Sequence, residues 1–215
     1  MNHYLCLTGA SGFLGRHLLK ALAHHRPKVG FLVLARPNAA KKLRKLFDWL
    51  EPDRLQIIEG DIMQPELGLA PHDAARIRDL VSEVWHLAAS TSFNEAEREH
   101  IEQANLGGTV RLLELARHIK HLENFYQIST AYVVGRNGSC SDEDTPPENP
   151  QFNNTYERKK WEVEKRVRQS GLPFTVFRPS IIIGESSGAA PGEKRMMDIC
   201  RVCIALLHMN LCAED

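Results

Sequence analysis

A tyrosine and a lysine four residues apart, Tyr156 and Lys160, are the side chains in this sequence best suited to proton transfer. Residues at this spacing share one face of a helix. Val163 and Val167 continue the same stripe, which predicts that Lys160 faces inward. An ammonium beside a phenol favours the phenolate, so we expect a lowered pKa for Tyr156 and proton exchange near neutral pH. An ordinary amphipathic helix that carries both residues is the alternative.

Two further polar positions fit the same chemistry. Ser129 and Thr130 end a predicted strand, where a hydroxyl can donate a hydrogen bond to a substrate carbonyl. Asn105 lies within a predicted helix, although asparagine is a poor helix former that binds water or backbone in such places. We predict that Asn105 anchors a water chain to Lys160. The alternative is an asparagine that the helix merely tolerates.

A glycine-rich loop between an apolar run and a helix predicts a phosphate site. Glycine lets the backbone approach a ligand closely, and a helix N-terminus offers free N–H groups and a partial positive charge to a pyrophosphate. The spacing is G-x-x-G-x-x-G, which differs from the G-x-G-x-x-G of the most familiar dinucleotide fold. A plain strand-to-helix turn is the alternative. The predicted ligand-binding residues of the loop are Thr8, Gly9, Ser11, Gly12, Phe13, Leu14 and Gly15.

Strand-like and helix-like segments alternate along the chain, and they must position these residues. Strands are predicted at 4–7, 30–35, 56–59, 84–87, 125–128 and 175–177, and helices at 14–22, 39–50, 97–119 and 155–169. Short apolar runs that do not alternate with polar residues and are separated by helices predict a parallel sheet covered on both faces. The predicted fold is therefore α/β, a doubly wound, Rossmann-like parallel sheet.

The residue at the end of the second strand predicts which cofactor is bound. In such folds an acidic residue about 20 positions past the glycines binds the ribose 2′-hydroxyl of NAD. Arg36 stands there instead, and its planar guanidinium suits a 2′-phosphate, so we predict NADP(H). A solvated helix face accounts equally well for the nearby Lys41, Lys42 and Arg44.

Two short stretches at the ends of the third and fourth strands complete the predicted cofactor site. Asp61 and Ile62 leave the third strand where ligands bind in such sheets, and Asp61 could accept a hydrogen bond from the adenine amino group. A turn or cap role for Asp61 is the alternative. Ala88 and Ala89 leave the fourth strand with side chains small enough for a cofactor to lie against the backbone, although small residues also simply pack well.

The bulk composition narrows the class of protein. The 215 residues carry 27 basic and 27 acidic side chains, which does not favour a nucleic-acid partner. Five scattered cysteines predict a reducing compartment, and the longest apolar runs have the length of strands, so we expect a cytoplasmic protein without a membrane span. A zinc site is conceivable at Cys200, Cys203, His208 and Cys212. The run 199–209 is apolar at helical spacing, however, so we predict buried cysteines and no metal.

Taken together, these residues resemble the extended short-chain dehydrogenase/reductase family, and in finer detail its thioester reductase and fatty acyl-CoA reductase branch. The stretches that carry the resemblance are 7–15, 85–89, 105–109, 129–133, 154–157 and 177–184. The resemblance implies that Thr130, rather than Ser129, is the catalytic hydroxyl. It also implies that Pro179, Ser180 and Ile181 border the nicotinamide.

The resemblance further implies an activity, the reduction of a thioester or related carbonyl by NADPH. Thr130 and Tyr156 would bind the developing oxyanion, Tyr156 would protonate it, and Lys160 would hold the nicotinamide ribose. The substrate would be a small molecule or a carrier-bound acyl group. Members of this family have a small C-terminal substrate domain, which is largely absent here. We therefore expect an NADP(H)-binding domain at 1–190 and the start of a truncated substrate region at 191–215; a homo-oligomer is compatible with the sequence.

Four rival functions follow from the same resemblance. Sugar-nucleotide dehydratases carry an Asp-Glu pair directly after the catalytic threonine, where this chain has Ala131 and Tyr132. Sugar-nucleotide epimerases keep NAD and usually have an acid at the position of Arg36. A ketone or alcohol dehydrogenase would use the same catalytic residues and is harder to separate. A non-catalytic NADP-binding sensor is the rival of another class, although such proteins typically have lost the tyrosine or the lysine.

Overall fold

A computed structural model describes residues 3–136, 143, 147–148 and 150–182, which form a six-stranded parallel sheet with helices on both faces. The strands are β1 (Tyr4–Thr8), β2 (Gly30–Ala35), β3 (Leu55–Glu59), β4 (Val81–His86), β5 (Asn124–Ile128) and β6 (Phe174–Phe177). The α-helices are α1 (Phe13–His25), α2 (Pro37–Leu46), α3 (Pro71–Leu80), α4 (Arg98–Ile101), α5 (Gly108–Ala116) and α6 (Thr155–Arg168). Short 3-10 turns cover Pro65–Gly68, Glu95–Glu97 and Ala131–Val134, and a π-helical turn covers Glu102–Gly107.

The strand order places one crevice at the centre of the sheet. The order is β3-β2-β1-β4-β5-β6, and every pairing is parallel. The chain winds outward from β1 in one direction and then returns to wind outward from β4 in the other. The carboxyl ends of β1 and β4 therefore flank the topological switch point, which is where ligands bind in open α/β sheets. The predicted doubly wound, Rossmann-like fold is confirmed.

Two apolar clusters, one on each face, hold the sheet between its helices. On one face Leu7 and Phe31 pack with Leu19 of α1 and Leu43 of α2. On the other face Cys6, Leu32 and Phe125 pack with residues of α3, α5 and α6, among them Leu112 and Val163. Burial on both faces explains why the central strands read as continuous apolar runs rather than alternating ones.

The predicted helix at 97–119 is wrong as a single element. A 3-10 turn, the short helix α4, a π-helical turn and α5 cover this stretch, and α5 ends at Ala116. The π-helical turn surrounds Asn105, whose side chain binds the backbone of Ser90, while the Thr109 hydroxyl donates to the Asn105 carbonyl. A side chain committed to a neighbouring loop and a hydroxyl bonded to the preceding turn both disturb regular helix geometry.

Other boundaries differ from the sequence predictions by a few residues. The helix predicted at 39–50 is α2, which begins with Pro37 in its first turn and ends at Leu46. Proline is well suited to the first helical turn, where its missing N–H is not needed. Helix α3 was not predicted, and β4 begins three residues earlier than expected, at Val81.

Part of the predicted domain organisation lies outside the described residues. The boundary at residue 190, the region 191–215 and the group Cys200, Cys203, His208 and Cys212 all follow residue 182. Within the part of the chain that is described, no helix combines the length and apolar character that crossing a membrane requires.

Candidate active site

The glycine loop wraps tightly around the carboxyl end of β1. Gly9 has φ of +73°, and a Cβ there would lie 2.6 Å from the backbone nitrogen of Ala88. A Cβ on Gly15 would lie 2.2 Å from the Gly9 carbonyl oxygen. Gly12 precedes α1, and none of the described side chains caps that helix. The loop therefore brings an uncapped helix N-terminus against the end of β4, as an anion site requires.

A cleft of about 300 Å³ lies beside this loop at the switch point. Nine of the residues predicted to bind the cofactor line it: Thr8, Gly9, Ser11, Gly12, Arg36, Asp61, Ile62, Ala88 and Ala89. Phe13, Leu14 and Gly15 form the first turn of α1 and are not part of the lining. The sequence patterns at the ends of four separate strands thus converge on one cavity.

The outer end of the cleft holds Arg36 and Asp61. Arg36 is exposed at the N-terminus of α2, and among the described residues its guanidinium meets no protein partner. Asp61 uses Oδ1 to accept a hydrogen bond from the Met63 N–H at 2.9 Å, so it stabilises its own turn. The turn role considered for Asp61 is therefore present, in a residue that also lines the cleft.

A buried histidine, His86, connects the glycine loop to the π-helical turn. Its Nδ1 lies 2.7 Å from the Thr8 hydroxyl and its Nε2 lies 3.0 Å from the Thr109 hydroxyl. The Thr109 hydroxyl donates to the Asn105 carbonyl, so it accepts from Nε2–H, and Thr8 donates to Nδ1. The Thr8 oxygen in turn accepts the Ala88 N–H. Neutral His86 therefore orients both walls of the cleft.

The burial of His86 predicts that the folded protein loses stability at acid pH. Burial, and secondarily the charge on Lys160, lowers the pKa of His86 to about 3. In the unfolded chain this histidine is protonated near pH 6.5, whereas in the folded protein it is not. The neutral histidine therefore contributes fully to folding stability above pH 6.5, and that contribution declines as pH falls toward 3. We expect this histidine to account for roughly 2–3 kcal/mol of lost unfolding free energy between about pH 7 and pH 4.5. Urea titrations at both pH values would measure it.

The variant His86→Asn provides the control for this prediction. It removes the titrating ring, so its unfolding free energy should change less over the same pH interval even if its stability at neutral pH is lower. An identical pH dependence in the two proteins would contradict a neutral, buried His86.

The catalytic candidates lie one strand further along, beside β5. Tyr156 and Lys160 are both buried on α6, and the Lys160 ammonium donates to the Ile128 carbonyl at 2.8 Å. Tyr156 is hydrogen-bonded to the side chain of Thr130, which follows β5. The structure therefore brings Thr130, Tyr156 and Lys160 together. They lie next to the cleft rather than among its lining residues.

The expected lowering of the Tyr156 pKa is wrong. Burial raises the pKa of the phenol, and the hydrogen bond from Thr130 opposes that rise only in part. The Lys160 ammonium is directed at a backbone carbonyl, and burial lowers the pKa of Lys160 to about 8. At neutral pH Tyr156 is therefore protonated and Lys160 is mostly charged. A protonated phenol is the form that can give a proton to an oxyanion.

Asn105 has a different set of partners from the water chain that we predicted. Its amide oxygen accepts the Ser90 N–H at 2.7 Å, and its amide nitrogen donates to the Ser90 carbonyl at 2.9 Å. Ser90 lines the cleft, so Asn105 fixes the segment that leaves β4. A water chain to Lys160 stays a prediction.

Sequence reasoning missed a buried ion pair behind the site. Glu164 is fully buried one turn after Lys160, and Arg178 donates to it through Nε at 3.0 Å and Nη2 at 2.8 Å. Arg178 immediately precedes Pro179, whose carbonyl accepts the Ala131 N–H at 2.9 Å. The pair thus secures the segment 179–181, predicted to border the nicotinamide, against α6 and Thr130. The i, i+4 spacing of Lys160 and Glu164 was the only local signal.

The fold and the arrangement of the site define the class. A doubly wound sheet with a glycine loop at the switch point, and a threonine, tyrosine and lysine beside the cleft, is a dinucleotide-binding domain of the extended short-chain dehydrogenase/reductase type. The chain belongs to the male sterility protein family of NAD-binding domains, which matches residues 7–215.

Individual relatives show which kinds of protein in this family the chain is similar to. Over 143 residues the chain is 38% identical to human fatty acyl-CoA reductase 1, a match that covers 59% of this chain and 28% of the relative. Over 192 residues it is 31% identical to a hybrid PKS-NRPS synthetase of Xenoacremonium sinensis, covering 86% of this chain and 5% of the relative. The chain therefore spans only a fraction of these proteins.

Solved structures give the same picture. The terminal R domain of the myxalamid PKS-NRPS pathway superposes with a TM-score of 0.75 at 29% identity, over 97% of this chain and 55% of that one. A UDP-glucuronic acid 4-epimerase from Bacillus cereus, solved with NAD, superposes with a TM-score of 0.64 at 25% identity, over 81% of this chain and 55% of that one.

Proposed function

We propose that this chain reduces an acyl thioester, carried on CoA or on a carrier protein, to an aldehyde with NADPH. The observation that carries the proposal is the grouping of Thr130, Tyr156 and buried Lys160 beside a cleft lined by the glycine loop. The similarity to fatty acyl-CoA reductases and to an R domain supports a thioester as the substrate. Further reduction of the aldehyde to an alcohol uses the same residues.

The residues of the cleft fit a dinucleotide. Gly9 leaves no room for a Cβ, and the uncapped N-terminus of α1 offers N–H groups to a pyrophosphate. Arg36 stands at the end of β2, and its guanidinium has no partner within the part of the chain that the structure describes. We therefore assign the pyrophosphate to the loop 8–15 and the 2′-phosphate of NADP(H) to Arg36.

Replacing Arg36 should change the cofactor preference. In Arg36→Gln we expect NADPH affinity to fall by roughly 10- to 100-fold, because a charge-assisted pair is lost, whereas NADH affinity should stay within about twofold. Titration of each nucleotide against the protein fluorescence measures both constants. Arg44→Gln, an exposed change on the same helix, is the control. Equal losses for both nucleotides in Arg36→Gln would contradict the assignment.

The catalytic side chains divide the chemistry among them. When bound, the dihydronicotinamide supplies a hydride to the carbonyl carbon. Thr130 and Tyr156 hold the carbonyl oxygen, and protonated Tyr156 gives its proton to the oxyanion that develops there. The resulting hemithioacetal expels the thiol and leaves the aldehyde. Charged Lys160 holds the ribose, and the bond from its ammonium to the Ile128 carbonyl fixes its position beside β5.

Two alternatives have weaker support. A sugar-nucleotide epimerase is favoured by the superposition on the UDP-glucuronic acid enzyme, but Arg36 stands where such enzymes usually have an acid. A ketone or alcohol dehydrogenase would use the same three residues. Rates of NADPH oxidation with thioesters and with ketones, measured side by side, separate these functions.

We keep the cytoplasm as the proposed location because of the scattered cysteines.

A further inference from the structure

One exposed aromatic side chain contacts the ring of Tyr156, and a second exposed aromatic contacts the first. Phe93 is 56% exposed, and its ring centroid lies 5.3 Å from that of Tyr156 in an edge-to-face arrangement. Tyr132 is 38% exposed, and its ring lies 6.2 Å from that of Phe93, also edge to face. Among the described residues, these are the exposed aromatics that contact a catalytic candidate. We call Phe93 and Tyr132 the aromatic pair.

The backbone holds the aromatic pair in place. Phe93 lies in a segment whose start is fixed by the bonds of Asn105 to Ser90. Three residues before the same segment enters α4, the Glu95 carboxylate accepts the N–H and the hydroxyl of Thr155 at 2.6 and 2.8 Å. The loop is therefore anchored on both sides of Phe93, which fixes where this exposed ring lies.

Tyr132 is held just as firmly. It belongs to the 3-10 turn Ala131–Val134, where the Tyr132 N–H donates to the Thr130 hydroxyl oxygen at 3.3 Å. Val133 is fully buried beneath the turn. The same threonine that contacts Tyr156 therefore fixes the backbone that carries the Tyr132 side chain. Both aromatics are positioned relative to the hydroxyls that would hold a substrate carbonyl.

The chemistry of the pair indicates which part of a thioester it contacts. The carbonyl carbon has two substituents, an acyl chain and a sulfur that leads to a pantetheine arm rich in amides. The pair offers ring faces and edges, and the nearby Glu95 carboxylate is already committed to Thr155. Methylene or aryl groups gain from contact with such rings, whereas amides would lose hydrogen bonds to water. The surface is continuous with Tyr156, so its occupant begins at the carbonyl.

We propose that the aromatic pair, Phe93 and Tyr132, contacts the apolar acyl group next to the reacting carbonyl and sets the preference of the enzyme for that group. The inference rests on the proposed thioester reduction and adds the class of acyl group, apolar and longer than acetyl. It assigns a specificity role to two residues that take no part in the proton transfer.

Calorimetry tests the proposed acyl preference without requiring turnover. It measures the binding of acetyl-CoA and of decanoyl-CoA to the full chain saturated with NADP⁺. Wild-type protein should bind decanoyl-CoA more tightly than acetyl-CoA. In Phe93→Ala and in Tyr132→Ala we expect the affinity for decanoyl-CoA to fall roughly tenfold and that for acetyl-CoA by less than about twofold. Trp49→Ala, which removes an aromatic that is 53% exposed outside the site, should change neither affinity.

Several results would overturn the inference. Equal losses for both thioesters in Phe93→Ala, or no loss at all, would do so, as would a wild-type protein that binds neither thioester. A lower melting temperature with unchanged affinities would show that another part of the chain covers the pair. NADPH oxidation measured in parallel separates the two proposals. Chain-length-dependent binding without oxidation by any thioester would refute the proposed function and leave the aromatic pair supported.

Discussion

Tyr156→Phe is expected to abolish turnover while leaving NADPH affinity nearly unchanged. The variant removes the hydroxyl that gives a proton to the oxyanion but keeps the buried ring that packs against Phe93. General acid catalysis contributes about 10²- to 10⁴-fold, so kcat should fall by at least about a hundredfold. Steady-state rates with an acyl-CoA, together with a nucleotide titration, measure both quantities.

The control for this variant is Tyr4→Phe, which removes a phenolic hydroxyl that donates to the Asp53 carbonyl at 3.1 Å, away from the site. That change should leave kcat within about twofold of wild type. Loss of NADPH binding in Tyr156→Phe would argue against the role assigned to the hydroxyl, because it would make Tyr156 a cofactor contact or a structural residue instead.

Arg178→Met is expected to destabilise the fold by about 3–5 kcal/mol. The change leaves the Glu164 carboxylate fully buried without the guanidinium that donates to both of its oxygens. An unpaired buried charge costs this much because water does not reach it, and the charge on Lys160 offsets only part of the loss. Urea denaturation at neutral pH gives the change in unfolding free energy directly.

A surface ion pair supplies the comparison. Arg117 and Glu114 form a pair on α5 and the turn after it, and both side chains are exposed. Arg117→Met should therefore cost less than about 1 kcal/mol. The double variant Glu164→Leu with Arg178→Met should recover part of the lost stability, because the buried charge is gone. Equal costs for Arg178→Met and Arg117→Met would show that Glu164 is not stabilised by its partner.

The fold was predictable because its signals are local. Apolar runs such as 30–35 mark strands buried on both faces, and the glycines of the loop mark a close approach of backbone that the structure shows at Gly9 and Gly15. The convergence of Arg36, Asp61 and Ala88 on one cleft followed from the rule that carboxyl ends of parallel strands share an edge.

The electrostatics of the site were not predictable because they depend on tertiary burial. Spacing placed Tyr156 and Lys160 on one face of α6. Only the packed structure shows that burial raises the pKa of the phenol and that the Lys160 ammonium donates to the Ile128 carbonyl. In the sequence, His86 is simply one more residue of a predicted strand. Its partners Thr8 and Thr109 are 78 and 23 residues away in sequence. Contacts over such distances leave no periodic signal.

The most direct test of the proposed function mixes the full chain with NADPH and decanoyl-CoA and follows both the nicotinamide absorbance and the free CoA thiol. We predict that NADPH is consumed as thiol appears, and that a ketone or a sugar nucleotide in place of the thioester gives no comparable oxidation. Tight NADPH binding without oxidation by any thioester, aldehyde or ketone would contradict a reductase and would favour a non-catalytic NADP-binding sensor.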